Sequence, residues 1–426
     1  MKEKDSMWKK INLYAEGKEF IWSDNWWIDN DGIWFVSGDM NRLFFMDKSR
    51  NEAIYVSRIP SSNTQEFRKY PRCLRKDNIV FCFPDEGESI KCYSLEDFSW
   101  KSIHINNPDK VRLSCSNMWT VQDKLYIVSV GLKQVIEFNI DTLQIDEYYN
   151  IDAKGISGSV LVGNDIYMVD CLSNSVFKFN CLERNDEKYL LSGIDDKIQT
   201  ICFDGNNFWL SGRKKKLYIW QKEINKVGTI DSLPANFGMY NFNGMYQKLL
   251  DIQREAFETP LFLYSVMAYE YIWFIPFQTN EIIYVSKNTY EISIFPLEME
   301  EQTEENIKEQ LLGHKYLLEY VRENRYIGLF SLKNKWVFEI DAKNLTYKRM
   351  NYKLDGDSAF RVLQEIFRKV PIVYEKSDSD MKCFIKVLSS LSQNNNNFLQ
   401  NTLKGKRIFE NLKKDNTNFF DISNYD

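Results

Sequence analysis

Short apolar runs separated by polar turns recur from about residue 20 to residue 350 of this 426-residue chain. The clearest copy is Ile201-Cys202-Phe203, the turn Asp204-Gly205-Asn206-Asn207, then Phe208-Trp209-Leu210-Ser211, with Leu217-Tyr218-Ile219-Trp220 following. The first apolar residues after the turns are Ile33, Ile79, Leu125, Ile166, Phe208, Ile272 and Tyr326, at steps of 46, 46, 41, 42, 64 and 54 residues. Within a unit four runs can be read, all rich in β-branched and aromatic residues, which suit a pleated, half-buried surface. The connector between the first two runs is Asp31-Gly32, Asp77-Asn78, Asp123-Lys124, Asn164-Asp165, Asn206-Asn207 or Asn324-Arg325. Such residues tolerate positive φ and predict tight hairpins. The sixth unit has Glu270-Tyr271 there, which predicts a looser turn. Third runs ending at Asp47, Asn139, Asn180 and Asp341 mark further turns.

A period in the forties built of four short strands is one blade of a β-propeller. The reading is therefore an all-β propeller of seven four-stranded blades, or six if one unit is distorted, with a C-terminal α-helical extension. Residues 1–16 form an N-terminal lead, in which Ile11-Asn12-Leu13-Tyr14 reads as a strand left over to cover a blade edge. The propeller spans 17–354, with inserts at 235–261 and 300–315; both inserts have helical stretches. After Asp355 the period changes: Phe360, Leu363, Phe367 and Val370 share one helix face up to Pro371, and residues 384–391 and 408–412 suggest two more helices.

Composition narrows the classes. Lys plus Arg number 55 against 60 Asp plus Glu, a formal charge of -5. That balance argues against nucleic acid and anionic membrane as partners, which call for a basic surface. No apolar run is long enough to span a bilayer, and the charged N-terminus has no signal-peptide core, so a cytoplasmic address is expected. The 8 Cys are scattered without a CxxC, and Cys82, Cys92 and Cys202 read as buried free thiols. Neither a metal site nor a cofactor is expected. Only His104 and His314 are available as histidine bases, and both read as ordinary positions.

The cadence Phe203-Asp204-Gly205-Asn206-Asn207-Phe208-Trp209-Leu210-Ser211-Gly212-Arg213, then Leu217-Tyr218-Ile219-Trp220, resembles bacterial kelch-like β-propeller proteins, especially Clostridium-type members. The likeness covers roughly residues 17–354, and Gly405 to Leu412 looks like their closing helix. It implies a propeller of unassigned activity. The paired glycines of true kelch blades are missing, as is a Trp-Asp/Gly-His signature.

Candidate chemistry lies where the innermost strands meet the central channel. Seven residues before each alignment point stand Trp26, Arg72, Met118, Ser159, Ile201, Ser265 and Glu319; two earlier stand Asp24, Tyr70, Ser116, Ser157, Gln199, Leu263 and Leu317. Strand alternation puts these two columns on one face. Asp24, Trp26, Tyr70, Arg72, Ser157, Ser159 and Gln199 are the expected ligand-binding set, joined by Arg213 from the basic run 213–216. A polar ring that is merely wet accounts for the same residues. Asp85 and Asp170 are a candidate carboxylate pair for acid/base work, and Cys171 a candidate nucleophile. No catalytic motif is found. The reading is a non-catalytic module that binds a protein partner or small polar ligand at the channel mouth or through the helical tail. The alternative is an enzyme acting on a carbohydrate or peptide-derived ligand in the channel.

Overall fold

The computed structural model describes residues 2–47, 49–60, 69–231, 233–234, 260–277, 281–297, 316–332 and 334–368. Seven sheets form the blades of a propeller. Strands β1–β4 (residues 23–58), β5–β8 (72–104), β9–β12 (115–150), β13–β16 (156–190), β17–β20 (200–230), β21–β24 (262–295) and β25–β28 (316–350) make blades 1 to 7. Strands adjacent in sequence pair antiparallel in every blade. This up-and-down order puts the connections from second to third strand, and from each outer strand to the next blade's inner strand, on one face, called the upper face below. The inserts expected at 235–261 and 300–315 follow the outer strands of blades 5 and 6 in the sequence; apart from 260–261 they lie outside the described residues, as do His314 and the two later helices.

The core lies between blades rather than inside any one of them. Leu125 and Ile127 of the second strand of blade 3 pack on Phe81 and Phe83 of blade 2. Tyr126 and Val128 of the same strand pack on Ile166 and Met168 of blade 4. Trp209, Trp220 and Trp273 are fully buried. Each large apolar side chain removed from water contributes about 1.5–3 kcal/mol, so the ring is held by many equivalent seams.

The first hairpins fall where the sequence places them, but only Asp77-Asn78 is the expected two-residue turn. In blades 3 and 4 the loop is Gln122-Asp123 and Gly163-Asn164, one residue earlier than expected, and in blades 1, 5 and 7 it is longer. Asp77 (φ 52), Gln122 (φ 54) and Gly163 (φ 62) open two-residue hairpins in the left-handed region. Asn139 Oδ1 accepts from the amides of Asp141 and Thr142, and Asp341 Oδ1 from those of Lys343 and Asn344. These are side-chain mimics of a backbone turn. The sixth hairpin departs from expectation. Ala268 pairs with Tyr271 across the two residues Tyr269 and Glu270, and Tyr269 itself takes φ 58. It is as tight as those of blades 2 to 4, because pairing and packing impose the left-handed turn on a residue that does not favour it.

The N-terminal lead is also not a strand. Ile11 to Tyr14 lie in helix α1 (Lys2–Ala15), where Ile11 and Tyr14, three apart, are both buried and the Tyr14 hydroxyl donates to Asp39 at 3.1 Å. A four-residue run is too short to separate the two periods. The ring is instead closed by both ends of the propeller crossing the seam between blades 7 and 1. From the N-terminal side, Phe20 N donates to Lys335 O at 2.6 Å, and Trp336 Nε1 of blade 7 donates to Lys18 O at 2.8 Å. From the C-terminal side, β29 (Lys353–Leu354) pairs parallel with β4 (Glu52–Arg58) as a fifth strand on blade 1. Helix α2 (Gly356–Arg368) follows, capped by Asp355, which accepts from Ser358 N at 2.9 Å. Its side chains continue the edge: Ser358 Oγ accepts from Tyr55 N at 2.9 Å, and Arg361 Nη1 donates to Tyr55 O at 3.2 Å. Beyond the two residues that β29 covers, the β4 edge is thereby satisfied by helix side chains. Residues Met1–Gln364 form one compact unit and Glu365–Asp426 a second, so 355–364 belong with the ring.

Inside the seam Trp26 stacks on Tyr320, ring centres 5.6 Å apart, with Phe20 and Tyr352 against the Trp26 ring. Gly328 lies under Tyr320, and a Cβ there would come within 2.1 Å of that ring. Gly328→Ala is expected to destabilise the protein by about 1–3 kcal/mol through overpacking. A urea midpoint unchanged from wild type would show that the stack does not hold the seam.

Candidate functional site

Strands buried on both faces are apolar at every position, so hydrophobic pattern alone cannot fix their register. Blades 2 and 7 show the consequence. Leu125 packs toward the preceding blade, but Ile79 packs toward the following one, where Phe81 and Phe83 meet blade 3. In blade 7 it is Ile327 and Leu329 that face blade 6, one position after Tyr326. The column expected on one face therefore changes sides at Arg72 and again at Glu319 and Tyr320. Bulges add a second departure. The pairing of inner strands with their neighbours is irregular between Ser23 and Trp26, Ile156 and Ser159, Phe262 and Tyr264, and Leu318 and Tyr320. Asp24, Ser157 and Glu319 sit in these irregularities, which re-aim side chains at the upper end of the channel.

Two groups of polar residues result. The first spans blades 7, 1, 2 and 3. Trp26 Nε1 donates to Ser23 Oγ at 2.7 Å, and Ser23 Oγ donates to Glu319 Oε2 at 3.1 Å, across the seam. Glu319 is 0% exposed and Asp24 4%. Among the described residues Glu319 Oε1 has no hydrogen-bond partner. Burial, and after it the charge of Asp24, hold the Glu319 carboxyl well above the ordinary carboxylate range, against the Ser23 hydrogen bond and the charge of Arg72. Arg72 is half-buried and close enough to act on both Glu319 and Cys115. Among the described residues its guanidinium makes no hydrogen bond or ion pair. Its neighbour Arg112 is the opposite case: Asp85 grips it through both carboxylate oxygens, one bond at 3.0 Å, and Ser114 Oγ adds a third contact to Asp85.

The second group spans blades 3, 4 and 5. Asn117 Nδ2 donates to Ser159 Oγ at 2.7 Å, and Ser157 Oγ lies 3.5 Å from Ile198 O. Beside them a cleft of about 360 Å³ is lined by Asn174, Asp195, Asp196, Lys197, Arg213 and Lys214. Asp196 accepts from the amides of Lys197, Arg213 and Lys214, and Lys214 Nζ pairs with Asp195 at 2.6 Å. The cleft's carboxylates are thus already committed. Burial lowers the pKa of half-buried Arg213, with Cys171 and Asp196 opposing.

Of the expected set, Asp24 and Arg72 come together with Glu319, and Ser157, Ser159 and Arg213 belong to the second group. Gln199 is half-buried, its backbone amide bonded to Ser211 O. Trp26 is packed into the seam rather than open to the channel. Tyr70 is 3% exposed within the core between blades 1 and 2, with its hydroxyl against Gly87; burial pushes its pKa up to about 12. Asp170 serves its own loop, accepting from the amides of Lys154, Gly155 and Leu172 and from Ser173 Oγ, while Asp85 holds Arg112. Neither is poised for the acid/base pairing. Cys171 donates to Gly155 O at 3.2 Å, and burial followed by the Asp170 charge raises its pKa, the reverse of an activated thiolate. His104 ends an outer strand and is exposed. The residues missing from the expected set are Ser23, Arg112 and Glu319; Glu319 was the one acid in its column, and that was the available signal. Among the described residues no three His, Cys, Asp or Glu side chains group as metal ligands, and no helix is long and apolar enough to cross a membrane.

The chain is a seven-bladed β-propeller. It is similar in fold to virginiamycin B lyase from Staphylococcus aureus, at 10% identity over 74% of this chain and 92% of that one, TM-score 0.51. It is also similar to a chain of the mitotic checkpoint complex, at 8% identity over 76% and 88%, TM-score 0.51. At such identities the likeness shows the fold alone. No protein-family model matches the chain, and no curated protein matches it by sequence.

The sign of the Glu319 shift gives a pH test. A carboxyl whose folded pKa is raised contributes stability that is complete below its unfolded value near 4.5 and is lost as pH rises through the folded value. Wild type is expected to lose stability with rising pH over that window, and Glu319→Gln to lose less. Parallel denaturation curves for the two proteins at every pH would refute the assignment.

Proposed function

We propose that the protein is a cytoplasmic, non-catalytic recognition module that binds a small polar ligand at the upper mouth of its channel. The observation that carries this is Arg72. Arg72 is half-buried as a residue, lies close enough to Glu319 and Cys115 to act on both, and among the described residues makes no hydrogen bond or ion pair. Arg112, by contrast, is held by Asp85 through both carboxylate oxygens although it is exposed. A ligand carboxylate or phosphate would supply Arg72 with the bidentate partner it lacks, a match of planar geometry as well as charge. The seven described cysteines are free, which suits a reducing compartment.

A second reading has one specific observation behind it. A carboxyl kept neutral, such as Glu319, is the chemical requirement for a proton donor. The enzyme reading, acting on a carbohydrate or peptide-derived ligand, needs turnover that Glu319→Gln abolishes while ligand binding survives. Docking of a protein partner through the tail concerns residues outside those described.

Screening small carboxylates and phosphates by thermal shift, then titrating hits by calorimetry, tests the leading reading. Arg72→Ala is expected to weaken binding at least tenfold, consistent with loss of a charge-assisted pair worth about 1.5–3 kcal/mol, and Arg72→Lys to recover only part. Hits whose affinity ignores Arg72 would place recognition elsewhere.

A further inference from the structure

The unmet valences at the channel mouth come in two kinds. Arg72 offers N–H donors without an acceptor among the described residues. Glu319 offers an oxygen, Oε1, buried and without a partner among the described residues. Asp24, 4% exposed, brings a second carboxylate near Glu319, and its charge disfavours the ionised form of Glu319. Ser23 already serves Oε2. No lysine or arginine pairs with Glu319 at contact distance among the described residues, although such pairs hold the buried acids elsewhere. Glu137, also 0% exposed, has Arg184 at 2.9 Å, and Glu339 has Arg322 at 2.9 Å and Lys348 at 3.1 Å. The fold thus supplies a cation to two of its buried glutamates and leaves the one at the channel mouth without one.

We infer that the ligand is a zwitterion of the amino-acid or short-peptide class, its primary ammonium received by Glu319, with the Asp24 charge beside it, and its carboxylate by Arg72. This rests on the reading of Arg72 as the ligand's anchor and adds the second half of the ligand to it. The ammonium satisfies Glu319 Oε1 with an N–H donor and offsets the Asp24 charge. A primary ammonium presents three N–H donors, whereas a trimethylated one presents none to Oε1. Burial and the Asp24 charge favour the protonated form of Glu319 and an ammonium favours the charged one, so binding is expected to release a proton to solvent: the carboxylic acid plus R–NH3⁺ becomes a carboxylate–ammonium pair plus H⁺.

The experiment titrates the full-length protein with Ala, Leu and Ala-Ala, with their N-acetyl and C-amide derivatives, and with the N-trimethyl betaines. Calorimetry in two buffers of different ionisation enthalpy counts protons. The expected result is that a free zwitterion binds at least tenfold tighter than its N-acetyl and betaine forms and releases close to one proton. Glu319→Gln should abolish the release and most of the preference, while Arg72→Ala weakens all carboxylate forms together. Equal binding of free and N-acetyl forms, both lost in Arg72→Ala, would overturn the zwitterion and leave the Arg72 anchor standing. No binding by any form, or binding indifferent to Arg72, would overturn both.

Discussion

The seam between blades 7 and 1 is the constraint on which the molecule depends. Every other seam is backed by a continuous chain running from one blade to the next, whereas this one must be closed by contacts alone. No strand is exchanged between the first and last blades. Closure is instead reciprocal: the segment before blade 1 bonds to blade 7, and the segment after blade 7 bonds to the outer edge of blade 1. At the axis the Trp26–Tyr320 stack and the Trp26–Ser23–Glu319 hydrogen-bond chain join the two blades. The same residues that close the ring therefore place a buried acid at the channel mouth. Structure and candidate function meet at one point in the fold.

That coincidence explains the electrostatic economy of the site. An isolated buried carboxylate is too costly to keep, so either a cation is supplied or the group takes a proton. Arg184 of blade 4 and Arg322 of blade 7 supply cations to Glu137 and Glu339. At the seam burial favours the protonated form of Glu319, and among the described residues Arg72 lies nearby without a direct pair. A site of this kind holds its charges apart until something arrives that joins them, which is the usual arrangement for recognising a small polar molecule rather than for bracing a fold.

Much of the architecture was legible in the sequence. Seven repeats, their four strands, the Asp/Asn turns after third strands and the helix after Asp355 all follow from local rules that the packing reinforces. What escaped did so for identifiable reasons. Ile11 to Tyr14 fit either period, and only burial of Ile11 and Tyr14 on one helix face decides between them. The phase of Ile79 and Tyr326 was ambiguous because strands apolar on both faces carry no alternation to read. Bulges at Asp24, Ser157 and Glu319 leave no local signature, since an extra residue in one strand is visible only against its partner. Asp24, Arg72 and Arg213 were found as polar residues near the channel, while Tyr70 and Trp26 look identical in sequence and are core residues. Glu319 was visible as an acid in an otherwise uncharged or basic column, but its meaning came from burial.

The central claim is that Glu319 holds its proton at the channel mouth, near an Arg72 that makes no ion pair among the described residues. Infrared difference spectroscopy of wild type against Glu319→Gln at neutral pH tests it most directly. The account predicts a carbonyl band of a protonated carboxylic acid in the wild type that the variant lacks. A difference spectrum with only carboxylate bands would show Glu319 ionised at neutral pH and contradict the account.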